Sequence, residues 1–176
     1  MSGIWVFGYG SIMWNPGFSY KTKKTCFILG WERRFWQASS DHRGTESLPG
    51  RVVTLSQKKY SRCWGVAYNI DKRCENKVLE SLDLREKNGY ERIAIIATSL
   101  LGRSFDCLTY VAGPNNPYYS EEASLERVAR QINRARGPSG TNAEYITSMI
   151  RELRRLGVYD QHVESIFKRL GGGAID

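Results

Sequence analysis

In the stretch IWVFGYGSIMW, residues 4–14, an apolar run breaks at two glycines and then becomes apolar again. Its apolar beginning, residues 4–7, predicts a short β-strand that ends at a glycine. Gly8 and Gly10 have no Cβ, so the backbone can adopt positive φ and a ligand can approach the main chain closely. Consecutive N–H groups that point the same way form a concave anion site, a nest, which holds a carboxylate without a basic side chain. A tight turn between two strands explains the same glycines, and the stretch is neither a P-loop nor a GxGxxG dinucleotide fingerprint.

The composition is that of a globular protein. The 176 residues are 41% hydrophobic, which argues against a disordered chain and predicts a single domain over residues 1–176. No apolar run approaches the ~20 residues of a membrane span, and the N-terminus lacks the pattern of a signal peptide. Four widely spaced cysteines without a CxxC pair predict reduced thiols in the cytoplasm and no zinc site. The net charge of +8 suits nucleic acid, a membrane surface or a small anion, and charge alone does not choose among them.

The first two thirds of the chain predict β-structure interrupted by one helix. Runs rich in β-branched and aromatic residues predict strands. These runs are residues 4–7, 26–29, 34–36, 51–55, 63–70, 92–98 and 105–112. Asp71 is expected to cap the helix, in which Cys74, Val78 and Leu82 recur at helical spacing and Leu82 ends the buried stripe.

The last third of the chain predicts three helices. Ser120, followed by two glutamates, is expected to cap the first, because the helix dipole favours negative charge there. Thr141 and Glu144 form a capping box for the second helix, after a GPSG break. The third helix is expected over residues 160–170, with a flexible tail at about 171–176. The pattern as a whole predicts an α+β domain in which a mixed sheet or small barrel is packed by helices.

Two polar stretches interrupt the structural pattern. Residues 33–44, RRFWQASSDHRG, could stack on nucleotides or hold a loop rigid around a small anion. Within them, His42 beside Asp41 is either a structural loop residue or an acid–base group. Residues 82–90, LDLREKNGY, end in an Asn-Gly turn signal, and the carboxylate before that turn is either a positioned base or part of a solvated loop.

Six motifs occur in one order along the chain: WVFGYGSIMW, RRFWQASSDHRG, PGRVVTL, WGVAY, LREKNGYE and GPSGTNAEY. Together they resemble the ChaC family of glutathione-specific gamma-glutamylcyclotransferases, from Ile4 to about Tyr145 and more weakly through the last helices. The chain departs from the family pattern at Ile12, where leucine is usual, and at Asn88, where glycine is usual. Isoleucine keeps an apolar contact and asparagine tolerates left-handed turns, so neither change argues against the resemblance.

The resemblance implies a fold and a reaction. The family has a small mixed β-barrel packed by α-helices, with a helical C-terminal third. Its members, which are lyases, cleave glutathione to 5-oxoproline and cysteinylglycine: the α-amine of the substrate attacks its own γ-amide carbonyl and closes a five-membered lactam. Because nucleophile and electrophile share one molecule, much of the entropic cost is absent, and no metal, cofactor or protein nucleophile is expected.

The resemblance also implies roles for individual residues. Glu86, the carboxylate of the REK motif, is the expected proton acceptor, which returns a proton to the leaving amine. The loop expected to bind the γ-glutamyl group comprises Val6, Phe7, Gly8, Tyr9, Gly10, Ser11 and Ile12. The other substrate-binding candidates are Arg51, Tyr90 and Tyr145. Candidates for supporting the pocket walls, which a structural role explains equally well, are Arg34, Asp41, His42 and Arg43.

Two alternative functions stay open at the level of sequence. A cyclotransferase acting on another γ-glutamyl compound would share the loop and Glu86 but differ in its pocket for the leaving group. A basic, aromatic-rich module that binds RNA or protein would show salt-sensitive nucleic-acid binding, although no RNP or KH signature appears. The expected partner is glutathione, an anion at neutral pH, with no nucleic acid and no membrane, and the sequence predicts no oligomeric state.

Overall fold

A computed structural model describes residues 3–122 and 124–171 of the chain. The chain forms two compact units. The first is built from the residues up to Glu32 and from Leu55–Gly113, and the second from Arg33–Thr54 and the residues from Pro114 onward. The single domain expected over residues 1–176 stays a prediction. Of the expected flexible tail at 171–176, all but Gly171 lies outside the described residues.

The strands form a closed five-stranded barrel, which confirms the predicted mixed barrel. Around the barrel the strands follow the order β1 (Trp5–Gly8), β3 (Gly50–Asn69), β2 (Thr22–Ser39), β4 (Glu91–Ser99) and β5 (Ser104–Val111). β1 runs antiparallel to β3 and parallel to β5, and this last pairing closes the barrel. β4 runs antiparallel to both β2 and β5. The barrel thus places β1 between β3 and β5.

β2 joins two runs that the sequence predicts as separate strands. Gly30, between them, has φ +80°, a conformation that glycine adopts without strain. Before Gly30 the buried positions are even-numbered, Cys26 and Ile28, and after it they are odd-numbered, among them Phe35 and Gln37. A shift of one residue in the alternation is the effect of a bulge, so the strand continues through the glycine instead of ending there.

β3 likewise crosses a segment that the sequence pattern excludes from strands. Residues 56–62 are polar and mostly exposed, yet they connect the predicted strands at 51–55 and 63–70 without a break. Within them Tyr60, with 84% of its surface exposed, has φ +66°, an uncommon value for a residue with a Cβ. Because an exposed strand segment carries no hydrophobic alternation, the sequence contains no periodic signal for this part of β3.

The helix of the first unit agrees with most of its prediction. Asp71 caps a short 3-10 turn with its side chain, and α1 follows over Glu75–Arg85. Val78 and Leu82 are its buried residues, and the stripe ends at Leu82 as predicted. Cys74, predicted as part of that stripe, is exposed because it lies in the turn that leads into the helix.

The second unit contains the three helices of the last third, which pack on one another. They are α2 (Leu125–Arg134), α3 (Asn142–Arg155) and α4 (Gln161–Arg169), with a short hairpin of β6 (Arg136–Gly137) and β7 (Gly140–Thr141) before α3. The capping box of Thr141 and Glu144 is confirmed. In the parts of the chain that the structure covers, none of the helices combines the length and apolar content of a membrane span.

Ser120 does not cap the first of these helices, so that prediction was wrong. α2 begins after Ser124, whose side chain accepts the N–H of Arg127. The N–H of Ser120 donates instead to the carbonyl of Trp36 on β2, at 2.6 Å. This pairing with the strand keeps the main chain extended, and the helix starts only at the next serine.

Candidate functional site

The end of β1 is held by neighbouring strands on both sides. Gly8 pairs with β3, and Val6 pairs with β5. The hydroxyl of Thr109 donates to the carbonyl of Phe7 at 2.9 Å, and the side chains of Val6 and Phe7 are buried. The loop that follows therefore starts from a backbone that is fixed in position.

Two glycines are required here because main chains come close together. A Cβ at Gly65 on β3 would lie 2.2 Å from the carbonyl oxygen of Gly8 and 2.8 Å from the ring of Phe7. A Cβ at Gly8 would lie 2.6 Å from a methyl carbon of Ile12. Packing thus accounts for the glycine of the WGVAY motif and for the first glycine of the opening stretch.

The loop after β1 ends in a 3-10 turn, Ser11–Met13. The first internal hydrogen bond of this turn runs from the N–H of Met13 to the carbonyl of Gly10, at 2.9 Å. The N–H groups of Ser11 and Ile12 precede that bond and have no acceptor inside the turn. Two consecutive N–H groups in this arrangement are suited to a carboxylate. The positive φ that the sequence allowed at Gly8 and Gly10 is not adopted, because Gly10 has φ −116° and Gly8 is not among the glycines with positive φ.

Glu86 lies at the C-terminal end of α1. Its N–H donates to the carbonyl of Leu82 at 2.8 Å, and its side chain is 17% exposed. The following turn contains Gly89 with φ +77°, which confirms the predicted Asn-Gly turn, and half-buried Tyr90 leads into β4. The carboxylate is therefore attached to a regular element and still accessible to a substrate.

Arg85 connects the loop to Glu86. Its Nη1 donates to the carbonyls of Asn15 and Pro16, each at 2.9 Å, and its Nη2 donates to Oγ of Ser11 at 2.8 Å. Its Nε lies 3.6 Å from Oε1 of Glu86, an ion-pair distance. One guanidinium thus brings together the two parts of the site that the sequence predicts. No motif or periodicity in the sequence indicates these contacts of Arg85.

A second chain of hydrogen bonds runs from the loop to α1. The hydroxyl of Tyr9 donates to the carbonyl of Tyr110 at 2.6 Å, and the hydroxyl of Tyr110 donates to the carboxylate of Asp83 at 2.5 Å. Arg92 pairs with the same carboxylate at 3.2 Å. Burial, and after it the bond to Asp83, raises the pKa of Tyr110, so its hydroxyl is a donor at neutral pH. Sequence reasoning missed both Tyr110 and Asp83.

In the second unit, the predicted substrate residue Arg51 is surrounded by protein acceptors. Its Nε donates to Oε1 of Gln131 at 2.7 Å, and its Nη1 donates to the carbonyls of Ser120 and Phe35. Its main chain is held by Asn142, which accepts from the N–H of Arg51 at 2.5 Å and donates to its carbonyl at 2.8 Å. Burial lowers the pKa of Arg51 from its ordinary value, and these acceptors compensate the buried charge.

Tyr145, also in the second unit, is buried in an aromatic and cationic environment. Its ring meets that of Phe35 edge-on, with centroids 6.1 Å apart, and the guanidinium of Arg43 lies 5.7 Å from its ring centroid. Its hydroxyl oxygen is 3.5 Å from the N–H of Val53. These contacts explain Tyr145 as a core residue, and its role towards a substrate stays a prediction.

The residues proposed for the pocket walls contact other side chains of the protein, on β2 for Arg34 and in the loop after β2 and the β6–β7 hairpin for His42. The guanidinium of Arg34 lies 5.7 Å from the ring of Trp36. Nε2 of His42 is 3.5 Å from the carboxylate of Asp41, and its Nδ1 is 3.1 Å from Oγ of Ser139. The contact between His42 and Ser139 joins two segments that are 97 residues apart in the chain, and the role of these residues as pocket walls stays a prediction.

Side chains that bind metals are dispersed. Across residues 3–122 and 124–171, no three or more His, Cys, Asp or Glu residues are grouped so that they could hold an ion. The four cysteines are free thiols. Burial raises the pKa of Cys26 to about 12 and raises that of Cys107 as well, so neither thiol is a ready nucleophile at neutral pH. That the reaction needs no metal or cofactor stays a prediction.

The family model and the known sequences that match this chain point to the same family. The family model described as "ChaC-like protein" matches residues 4–171. The chain is 37% identical over 174 residues to Glutathione-specific gamma-glutamylcyclotransferase 1 of Mus musculus, an alignment that covers 96% of this chain and 78% of that protein. It is 33% identical over 165 residues to the Glutathione-specific gamma-glutamylcyclotransferase of Escherichia coli, with 93% of this chain and 71% of that protein covered.

Comparison with solved structures agrees with the sequence comparison. The crystal structure of a gamma-glutamyl cyclotransferase from yeast, specific to glutathione, superposes with a TM-score of 0.91 at 26% identity. The superposition covers 97% of this chain and 96% of the yeast chain. A second structure, titled gamma-glutamyl cyclotransferase, shares the fold at a TM-score of 0.57 and 17% identity.

Proposed function

Since this chain belongs to the ChaC-like protein family, we propose that it is a glutathione-specific gamma-glutamylcyclotransferase, which converts glutathione to 5-oxoproline and cysteinylglycine. One observation in the structure carries the mechanism. The guanidinium of Arg85 contacts both Ser11 of the loop and the carboxylate of Glu86, so the expected binding loop and the expected base are neighbours. A γ-glutamyl arm held by the loop would therefore have its α-amine close to a carboxylate.

The loop binds the α-carboxylate of the substrate through its main chain. The N–H groups of Ser11 and Ile12 have no acceptor inside the 3-10 turn, and a carboxylate oxygen can accept from both. The loop is stiff because β1 is paired on both sides and the Tyr9 hydroxyl is bonded to Tyr110. A stiff loop places the amine of the substrate relative to Glu86 with little loss of entropy.

Glu86 transfers the protons of the reaction. Its carboxylate takes a proton from the α-ammonium group, and the amine so formed attacks the γ-amide carbon. As the bond between that carbon and the cysteinyl nitrogen breaks, the carboxylic acid returns a proton to this nitrogen. The second proton that the amine loses on becoming the lactam N–H balances the proton that the released amine takes up to become an ammonium group. No water is consumed and no bond to the protein forms.

The preference for glutathione depends on the cysteinylglycine end of the substrate. A cyclotransferase acting on another γ-glutamyl compound would use the same loop and the same Glu86. Turnover of glutathione compared with turnover of γ-glutamyl amino acids separates the two. Arg51, Tyr90 and Tyr145 stay predicted substrate-binding residues. Contacts within the protein already explain the presence of Arg51 and Tyr145 without a substrate.

The cytoplasm is the compartment that we propose. The support is the state of the cysteines: all four are free thiols, and the three buried ones, Cys26, Cys63 and Cys107, lie on barrel strands. Free thiols persist in a reducing compartment.

The decisive experiment is incubation with glutathione followed by mass spectrometry, in water labelled with ¹⁸O. A cyclotransferase releases 5-oxoproline without solvent oxygen, because the nucleophile comes from the substrate. A hydrolase acting at the γ-amide would release glutamate carrying the label. Labelled glutamate as the primary product would disprove the proposed reaction.

A substrate variant tests the internal attack directly. N-acetylation of glutathione delocalises the lone pair of the attacking nitrogen into an amide, and we expect turnover to stop. Because the acetyl group could also prevent binding, the same compound is tested as an inhibitor of glutathione turnover. Inhibition without turnover supports the mechanism. Cleavage of the acetylated compound contradicts it, because that compound has no free α-amine to attack the γ-amide carbonyl.

A further inference from the structure

We propose that Arg85 is a positioning residue, which holds the γ-glutamyl-binding turn and the base Glu86 in a fixed relation. The inference rests on the proposed roles of the loop and of Glu86. Arg85 itself needs no contact with the substrate for this role. Its effect is to place two groups that do have such contacts.

The guanidinium is suited to this task because its donors have a fixed planar geometry. It donates to three acceptors at 2.8–2.9 Å: Oγ of Ser11 in the loop, and the carbonyls of Asn15 and Pro16 in the segment that directly follows the 3-10 turn. A planar group that satisfies three acceptors at once fixes their relative positions. A lysine ammonium is a point charge on a flexible chain and cannot reproduce that arrangement.

The other end of this connection is the helix. Arg85 is the last residue of α1, and α1 is held by the buried side chains of Val78 and Leu82. Since Glu86 directly follows Arg85 and caps the helix, a rigid element carries both residues. The loop is therefore attached to the same element that carries the base.

Gly17 lies where the segment after the 3-10 turn passes this arginine. It has φ +74°, a conformation that favours glycine, and it directly follows Pro16, whose carbonyl accepts from Arg85. A Cβ at Gly17 would lie 3.2 Å from Nη1 of Arg85, tighter than ordinary contact. The backbone of the loop thus turns away immediately after it has reached the guanidinium.

Loss of this connection should affect both kinetic constants. A loop released from Arg85 binds the α-carboxylate less well, which raises KM. A carboxylate that is no longer held against the guanidinium lowers kcat, because small displacements of reacting groups are costly. A variant that merely unfolds more easily reduces the amount of active enzyme and leaves KM unchanged.

Hydrogen exchange of the free enzyme gives the first test and needs no turnover. Within residues 10–17, the amides of Met13, Trp14 and Asn15 are hydrogen-bonded, and in Arg85→Gln we expect these amides to exchange at least ~10-fold faster than in the wild type, because local opening is no longer opposed by the bonds of Arg85. The control is Arg73→Gln, which removes an arginine with 89% side-chain exposure from the turn that leads into α1. Equal exchange of residues 10–17 in Arg85→Gln and the wild type would overturn the proposal.

Steady-state kinetics gives the second test. For Arg85→Gln we expect a higher KM, a lower kcat and a loss of ~10²-fold in kcat/KM, the order of effect that a misplaced reacting group produces. Arg73→Gln should keep wild-type constants. Arg85→Lys should stay at least ~10-fold below the wild type, because charge without the planar fork is not enough. Full activity in Arg85→Lys would show that the fork does not position the site.

The two tests separate this inference from the proposed function. If the wild-type enzyme forms no 5-oxoproline from glutathione, the proposed function is wrong, while the exchange of residues 10–17 still decides whether Arg85 holds the loop. If the wild type is active and Arg85→Gln retains both its exchange pattern and its kinetic constants, only the role of Arg85 is wrong.

Discussion

Two arginines, Arg85 in the first unit and Arg51 in the second, both donate hydrogen bonds to several protein acceptors, but we expect their removal to have different effects. The acceptors of Arg51 are the side chain of Gln131 and main-chain carbonyls, and Arg51 is almost fully buried. Arg85 is 25% exposed in its side chain, and its partners include Ser11 of the proposed binding loop and the carboxylate of Glu86. Both lie within motifs of the sequence, so motif membership does not distinguish them.

The two arginines differ in the groups that they contact and in how exposed those groups are. A buried arginine whose donors are directed at protein acceptors, as those of Arg51 are at Gln131 and at two main-chain carbonyls, stabilises the local fold, because removing it leaves those acceptors without a donor. An arginine that contacts a partly exposed carboxylate and a loop with available N–H groups can act on a ligand through them. The contrast predicts that changes around Glu86 affect activity, while changes around Arg51 affect stability.

The largest effect is expected at Glu86. Glu86→Gln should fold normally and lose ~10²–10⁴-fold in kcat, because an amide cannot accept the proton of the α-ammonium group. The measurement is the rate of 5-oxoproline formation together with the thermal unfolding midpoint. Glu80→Gln, an exposed glutamate on the same helix, is the matched control and should behave as the wild type. Wild-type turnover in Glu86→Gln would show that Glu86 is not the base.

The sequence predicts those features of the fold and of the candidate site that are local in the chain. The glycine-rich loop, the carboxylate before the Asn-Gly turn and the capping box at Thr141 are all encoded within a few neighbouring residues. The contacts that join these parts are not local: Ser11 and Arg85 are 74 positions apart, and Tyr9 and Tyr110 are 101 apart. No pattern within one segment predicts such pairs.

The errors in the fold have the same origin. Ser120 has the residue type and the acidic neighbours of a helix cap, but pairing with Trp36 on a distant strand determines its conformation. The alternation of β2 changes phase at Gly30, which divides one strand into two apparent ones. Serine does favour helix caps and glycine does favour strand ends, but at Ser120 and Gly30 a tertiary contact overrides the local preference.

The next prediction concerns the pH dependence of stability in the second unit, through His162. Nε2 of His162 accepts the N–H of Phe35 at 3.1 Å, and burial, helped by Arg34, lowers the pKa of His162 to about 4. In the unfolded chain the imidazole takes up a proton near pH 6.5, so the unfolded state binds more protons between pH 6.5 and 4. We expect the free energy of unfolding to be unaffected by this group above pH 6.5 and to fall by about 3 kcal/mol as the pH decreases to 4.

Urea unfolding at a series of pH values measures this loss. The control is His162→Gln, whose side-chain oxygen can accept from the same N–H but does not titrate. We expect the difference in slope between the two proteins to lie in the window from pH 6.5 to 4, where stability rises with pH in the wild type. Parallel curves for the two proteins would show that His162 does not titrate differently in the folded state.

Arg51→Gln tests the structural side of the comparison. We expect a loss of about 2 kcal/mol in the free energy of unfolding, because the carbonyls of Ser120 and Phe35 lose a charged donor. Arg130→Gln, an exposed arginine of α2, is the control for the change in charge. The KM of the folded variant then tests the predicted role in substrate binding: an unchanged KM indicates a residue that only stabilises the fold, and a large increase would remove the contrast with Arg85.

The smallest effect is expected at Tyr110. Tyr110→Phe removes the bond to Asp83 and keeps both the buried ring and the carbonyl that accepts from Tyr9. Asp83 is 48% exposed in its side chain and retains Arg92 as a partner, so its carboxylate is not left unpaired and the cost should be about 1 kcal/mol.

The kinetic result of Tyr110→Phe decides which contact positions the end of α1. Asp83 lies one turn before Glu86, so the variant loosens the helix end while leaving the bonds of Arg85 to the loop in place. We therefore expect kcat to fall by less than ~10-fold with KM unchanged, since less than 1.4 kcal/mol is involved. The matched comparison is Arg85→Gln, in which both constants should change. If Tyr110→Phe lowered kcat as much as Arg85→Gln does, the bond to Asp83, and not the guanidinium, would be what holds Glu86 in place.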